Sequence, residues 1–210
     1  MSELDAIQEQ ERKDIMQRTI EHHARMVERG QAIRSELEML LKDKTKLVWE
    51  VGCGHGHFLT GYADAYPQAT CIGVDIIEDR IHRGERKRKR AELDNLHFIR
   101  AEATMFLEQV PEWVQLESVF ILFPDPWPKT RHHKNRIMQA PFLADVAKRC
   151  APGALLCFRT DFAPYFEAAS EVVKSHPDWE LRTDIAWPFE LETVFQSRAE
   201  AYQSMIAVRR

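Results

Sequence analysis

From residue 46 onward, short apolar runs alternate with longer stretches of mixed polarity. The runs at 47–51, 70–75, 96–100, 119–123 and 154–159 have strand length and are apolar nearly throughout, as strands buried on both faces are. Between them, 57–66, 78–93, 140–150 and 164–176 space their apolar residues as helices do. Residues 179–185 and 204–208 read as two further strands. Strands alternating with helices predict an α/β fold: a mostly parallel, doubly wound sheet with an antiparallel strand near the C-terminus. Residues 3–44 contain no proline and are rich in Glu, Gln, Arg and Lys, so they read as helix, with Gly30 expected to divide it into two segments. Ile33, Leu37, Leu40 and Leu41 fall at i, i+4, i+7 and i+8, one stripe that should dock on a domain. The expected organisation is a helical extension over 1–44 followed by one domain over 45–210.

A chain of 210 residues with 44% apolar and 30% charged residues can build a core without disulfides or metals. No apolar run approaches the ~18 residues of a membrane span. The N-terminus is polar, without a signal-peptide pattern. Cys53, Cys71, Cys150 and Cys157 form no CxxC pair and lie in or beside apolar runs, which reads as reduced core cysteines in a cytoplasmic protein. The net charge of −4 hides an uneven distribution. Residues 80–90 carry seven Lys or Arg against one Glu, and 129–136 carry four Lys or Arg, two His and no acid. A charge run is ordinarily a solvated helix face, but two of them on an acidic chain permit an anionic partner.

Two motifs carry chemistry. The first is Glu50-Val51-Gly52-Cys53-Gly54-His55-Gly56, a glycine turn between the first strand and its helix. Glycines there admit positive φ and let the backbone approach a ligand. Asp75 closes the second strand, where a carboxylate can accept both hydroxyls of a ribose. Together they point to a nucleoside-containing ligand, and GxGxG followed by this acid is the usual layout of an S-adenosylmethionine site. Glu102 follows the third strand as another acid at a strand's end. The second motif is Phe123-Pro124-Asp125-Pro126-Trp127-Pro128-Lys129, running into Arg131-His132-His133-Lys134. Its three prolines make a stiff loop, suited to positioning Asp125, Trp127 and Lys129 beside a ligand at the C-terminal end of strand four. His55 with His57 and His132 with His133 have neither a zinc-like spacing nor a third ligand nearby, so no metal site is expected.

These motifs, with Thr160-Asp161 and Thr193-Val194-Phe195-Gln196, resemble the bacterial tRNA (guanine-N7)-methyltransferases over roughly 48–208. The resemblance implies a Rossmann-like S-adenosylmethionine-dependent methyltransferase fold and methyl transfer to N7 of a guanine in the tRNA variable loop. It implies that Glu50, Asp75, Glu102 and Asp125, with Gly52, Gly54, Ile76 and Ala103 beside them, bind the cofactor. Asp125 would also be the catalytic residue. Lys129, Arg131, His132, Lys134, Arg136, Asp161, Thr193 and Gln196 would contact tRNA. The chain departs from the family pattern at Glu102, where Asp is usual, and at Gln196, where Glu is usual. Gln keeps the hydrogen-bonding reach but loses the charge and adds a donor. Residues 1–44 are also more acidic than the basic arm such an enzyme would carry. The rival readings are a divergent methyltransferase of the same fold acting on another RNA or a small molecule, and a non-catalytic binding protein. Monomer and homodimer are equally compatible with the sequence.

Overall fold

Five of the apolar runs become the parallel part of a seven-stranded sheet. The computed structural model describes residues 3–191 and 201–210, the first nine of them by backbone alone. The strands are β1 (Lys46–Val51), β2 (Cys71–Asp75), β3 (Leu96–Arg100), β4 (Gln115–Leu122), β5 (Cys150–Thr160), β6 (Trp179–Arg182) and β7 (Gln203–Arg209). Their spatial order is β3-β2-β1-β4-β5-β7-β6, with β7 antiparallel to both β5 and β6. The strand β1 is buried at every position after Lys46 and β2 along its whole length, which is why both read as unbroken apolar runs. Register pairs Val51 with Val74 on one side and Ile121 on the other, so these strand ends lie side by side.

The helices are α1 (Glu3–Leu40), α2 (His57–Ala65), α3 (Glu78–Arg90), α4 (Ala103–Gln109), α5 (Ala140–Arg149) and α6 (Ala163–Ser175). On one face of the sheet, α1, α4, α5 and α6 bury Leu37, Phe106, Leu143 and Tyr165 against Trp49, Val119 and Phe158. On the other, α2 and α3 bury Phe58, Leu59 and Ile81 against Val48, Phe98 and Phe120, with Trp187, Phe189 and Leu191 packed alongside. The expected stripe on α1 docks as read, since Ile33, Leu37 and Leu41 are buried.

Three expectations are corrected. Gly30 does not break α1, because a side chain from α4 fills the space beside it: a Cβ there would lie 3.3 Å from Gln109 Nε2. The helix α4 and a 3-10 turn over Thr130–Asn135 form where no element was read, and both are too short to show a helical period. Strand β6 ends at Arg182, three residues early, where the Arg182 guanidinium grips Asp184 at 2.6 and 2.7 Å and turns the chain. The four cysteines are buried free thiols, and burial pushes Cys71, Cys150 and Cys157 up to about 12. No helix among the described residues is long and apolar enough to cross a membrane.

Candidate active site

Each of the five parallel strands delivers one carboxylate at or just beyond its C-terminal end. Along the sheet these are Glu102, Asp75, Glu50, Asp125 and Asp161, following β3, β2, β1, β4 and β5. Parallel pairing puts all five ends on one edge. The order reverses between β1 and β4, where open α/β sheets gather their ligands.

The glycine turn stands at that switch point. Gly52, Gly54 and Gly56 all have positive φ, at 68°, 54° and 69°. A Cβ on Gly52 or Gly54 would meet nothing within 4 Å, so the turn is open above these two. Gly56 differs, because its Cβ would collide with the Phe98 ring. Gly73 and Gly84 face the same ring, and a Cβ on either would come within 3.0 Å of it. Three glycines from β2, α3 and the turn therefore make room for one phenylalanine, and that buried ring supports the turn from beneath.

Glu50 is buried, and its Oε2 has no partner. Burial pushes its carboxyl up to about 8, opposed by the Leu59 amide that donates to it and reinforced by the charge of Asp75. Asp75 is buried too but fully engaged: Oδ1 accepts from Ile77 N at 2.9 Å, and Oδ2 accepts from Gly54 N at 3.1 Å and from Arg80 at 3.2 Å. Asp75 thus ties the glycine turn to the start of α3. Ile76, next to it, is 61% exposed and offers an apolar surface beside that carboxylate. Glu102 is exposed at the N-cap of α4, and Ala103 is half-buried in its first turn.

The proline loop leaves β4 with two non-glycine residues at positive φ, Phe123 at 49° and Trp127 at 43°. Such conformations cost about 1–3 kcal/mol each and persist only where the surroundings hold them. The restraints are visible: Phe123 N donates to Arg159 O at 2.8 Å, the Trp127 ring meets His132 edge-on at 5.7 Å, and Arg136 Nε donates to Pro126 O at 2.9 Å. Asp125 stands exposed at the loop's centre, and Asp161 is exposed after β5.

Lys129 at the start of the 3-10 turn and Arg131 and Lys134 on it are exposed, with His132 half-buried. Arg136 is not with them. It is 4% exposed, its guanidinium lies 4.8 Å from the Tyr165 ring centre, and it holds the proline loop from inside. The sequence reading expects Arg136 on the RNA-facing surface, whereas here its guanidinium turns inward beside the Phe162 and Tyr165 rings. Thr193 and Gln196 lie outside the described residues.

One functional neighbour escaped the sequence reading. Arg159, at the end of β5, is buried and stacks on Trp187 while pairing with Glu190. The available signal was an arginine closing an otherwise apolar strand, one residue ahead of Thr160-Asp161. Among the described residues no three His, Cys, Asp or Glu side chains form a metal-binding group.

A family model described as "Putative methyltransferase" matches residues 44–204. The chain is 36% identical over 131 residues to a tRNA (guanine-N(7)-)-methyltransferase of Nocardia farcinica, covering 62% of this chain and 49% of that protein. To the protein of the same description in Syntrophotalea carbinolica it is 31% identical over 158 residues, covering 75% of this chain and 68% of that one. The chain spans about half the length of the first of these relatives. In fold it is similar to an O-methyltransferase from Bacillus cereus solved in complex with SAH, with a TM-score of 0.58 and 13% identity over 87% of this chain and 80% of that one.

Proposed function

We propose, from the premise that the chain belongs to the tRNA (guanine-N7)-methyltransferase family, that it transfers a methyl group from S-adenosylmethionine to N7 of a guanine in tRNA. The observation that carries this reading is the row of five carboxylates along one sheet edge, with the stiff proline loop and its basic turn at the switch point. In this reading residues 45–210 are the methyltransferase unit, 1–44 are its helical extension, and the enzyme works in the cytoplasm.

The residues present fit the cofactor. The unpartnered Oε2 of Glu50 suits a cationic group such as the methionine ammonium. The open space above Gly52 and Gly54 admits a ligand against bare backbone. Asp75 accepts the ribose hydroxyls by exchanging its contact with Arg80, whose side chain is 40% exposed and returns readily to water. Ile76, with its exposed apolar side chain, and Glu102 with Ala103 would hold the adenine. When bound, S-adenosylmethionine supplies an electrophilic methyl on a sulfonium.

Guanine N7 carries an in-plane lone pair, so the protein has no proton to remove before attack. Its work is orientation: holding N7 about 3–3.5 Å from the methyl and in line with the breaking bond. Asp125, on a loop whose strained residues are clamped by Arg136 and by β5, is a fixed negative charge beside the site. There it would stabilise positive charge on the imidazole ring of the base. Asp161 accepts from base donors across the site. Lys129, Arg131, His132 and Lys134 take backbone phosphates, while Thr193 and Gln196 complete recognition of the substrate.

The test is methyl transfer from labelled S-adenosylmethionine to unmethylated bulk tRNA, followed by nucleoside analysis. A 7-methylguanosine product is expected. Cofactor binding with no labelled tRNA would overturn the substrate and leave a methyltransferase for another acceptor.

A further inference from the structure

The basic run 80–90 is not spread evenly around its helix. Arg83, Arg86, Lys87 and Arg90 fall at i, i+3, i+4 and i+7 and share one face of α3. That face meets the glycine turn, and with His55 and His57 it lines a shallow, open surface pocket of about 240 Å³. All six lining residues are cationic or imidazole, and none is acidic.

Pairing separates this pocket from an ordinary solvated face. Outside the pocket Arg80 pairs with Asp75 at 3.2 Å and Arg88 with Glu85 at 3.0 Å, and among the described residues Lys89 alone of the helix's other Lys and Arg meets no carboxylate. Of the pocket's four Lys and Arg, Arg83 pairs with Asp79 at 2.8 Å. Among the described residues no carboxylate pairs with Arg86, Lys87 or Arg90. The Lys87 ammonium is instead anchored on the His55 carbonyl, in the turn itself. It is held below the ordinary lysine value by burial and then by Arg83, Arg86 and Arg90, and His55 and His57 are lowered by burial and by neighbouring cations. Crowded like charges of this kind are relieved by an anion.

Geometry decides which anion. The pocket lies on the β2 side of the glycine turn, and the basic 3-10 turn follows β4 on the other side. A ligand that engages both carries anionic groups on either side of the turn, as a phosphodiester chain does. We propose that the pocket formed by His55, His57, Arg83, Arg86, Lys87 and Arg90 is a second phosphodiester-binding site for the RNA substrate. It grips the backbone on the opposite side of the cofactor turn from Lys129, Arg131 and Lys134. This inference rests on the reading of the chain as a tRNA methyltransferase.

The test uses full-length Arg86→Gln/Arg90→Gln, since both side chains are exposed and the fold does not depend on them. Its control is Lys89→Gln/Lys148→Gln, which removes the same charge from exposed positions outside the pocket. For the pocket variant, tRNA binding should weaken about tenfold, and the slope of log affinity against log salt should become shallower by about 1.5, the loss of two phosphate contacts. The control should keep the wild-type slope, and calorimetric affinity for S-adenosylmethionine should be unchanged in both. Wild-type tRNA affinity and slope in the pocket variant, with methylation of tRNA by the wild type intact, would overturn this site and leave the functional reading standing. A wild type that neither binds nor methylates tRNA would overturn both. Micromolar binding of inorganic phosphate alone would overturn the RNA assignment in favour of a small-anion site.

Discussion

Arg159 lies with its guanidinium carbon 3.9 Å from the centre of the Trp187 ring and donates to both carboxylate oxygens of the neighbouring Glu190, at 2.5 and 3.0 Å. Its Nε donates to Ser204 Oγ at 2.8 Å, and its carbonyl accepts from Phe123 N. One residue at the end of β5 therefore joins the start of the proline loop, strand β7 and the segment around Trp187. Removing it takes away a buried guanidinium and its stacking on Trp187. Arg159→Ala should lose about 2–3 kcal/mol of stability through the lost stacking and packing of a buried guanidinium, whereas Glu190→Gln should lose under about 1 kcal/mol because that carboxylate is 59% exposed. Chemical denaturation of the two variants checks the order. Equal losses would mean that the stacking on Trp187 contributes little.

Glu50 couples stability to cofactor binding. In the fold its carboxyl is pushed up to about 8 from an ordinary value of 4.5, so the native state favours the protonated form. That contribution is complete below about pH 4.5 and is lost as pH rises through about 8. Glu50→Gln, neutral at every pH, should escape the loss, so without cofactor its melting temperature should gain on wild type steadily between pH 5 and 8. The same variant should bind S-adenosylmethionine about tenfold more weakly, the charge-assisted hydrogen bond being gone. Calorimetry alongside the melts measures both, and an unchanged affinity would remove Glu50 from the cofactor site.

Gly54 and Gly56 separate binding from folding. Both hold positive φ, but only Gly56 is pressed against Phe98. Gly56→Ala should cost about 3 kcal/mol or more, combining overpacking with backbone strain. Gly54→Ala should cost only the strain, about 1–2 kcal/mol, and should act mainly by placing a methyl where the cofactor approaches. Thermal melts set against cofactor affinity distinguish the two.

Asp125→Ala should abolish most methyl transfer while leaving stability within about 0.5 kcal/mol of wild type, because the side chain is exposed. Single-turnover kinetics at saturating cofactor reads the chemical step directly. Wild-type turnover would remove Asp125 from catalysis.

Arg136 tests the inward placement of a residue that sequence puts on the RNA surface. Arg136→Met should lose about 2–4 kcal/mol and slow turnover by loosening the Pro126 end of the loop. The salt dependence of tRNA binding should stay at the wild-type slope, since no phosphate contact is lost. A slope shallower by about 1 would return Arg136 to the surface.

Sequence alone determined what is encoded over a few residues. Unbroken apolar runs specify strands buried on both faces, glycines at alternate positions specify the turn, and three prolines specify a stiff loop. Because every parallel strand must enter the sheet in the same direction, these local signals also put the five acids on one edge. Tertiary structure decided where the long cationic side chains go. Arg136 stands in a basic run that reads as an RNA-facing surface, and Arg159 closes an apolar strand with no partner visible in the sequence. Aromatic rings from distant parts of the chain, Tyr165 for one and Trp187 for the other, supply faces on which a guanidinium can stack. The same is true of Gly30, which a helix tolerates because α4 packs over it. Backbone preference is set by a residue and its neighbours in sequence, whereas the direction of a flexible charged side chain is set by what the fold brings against it.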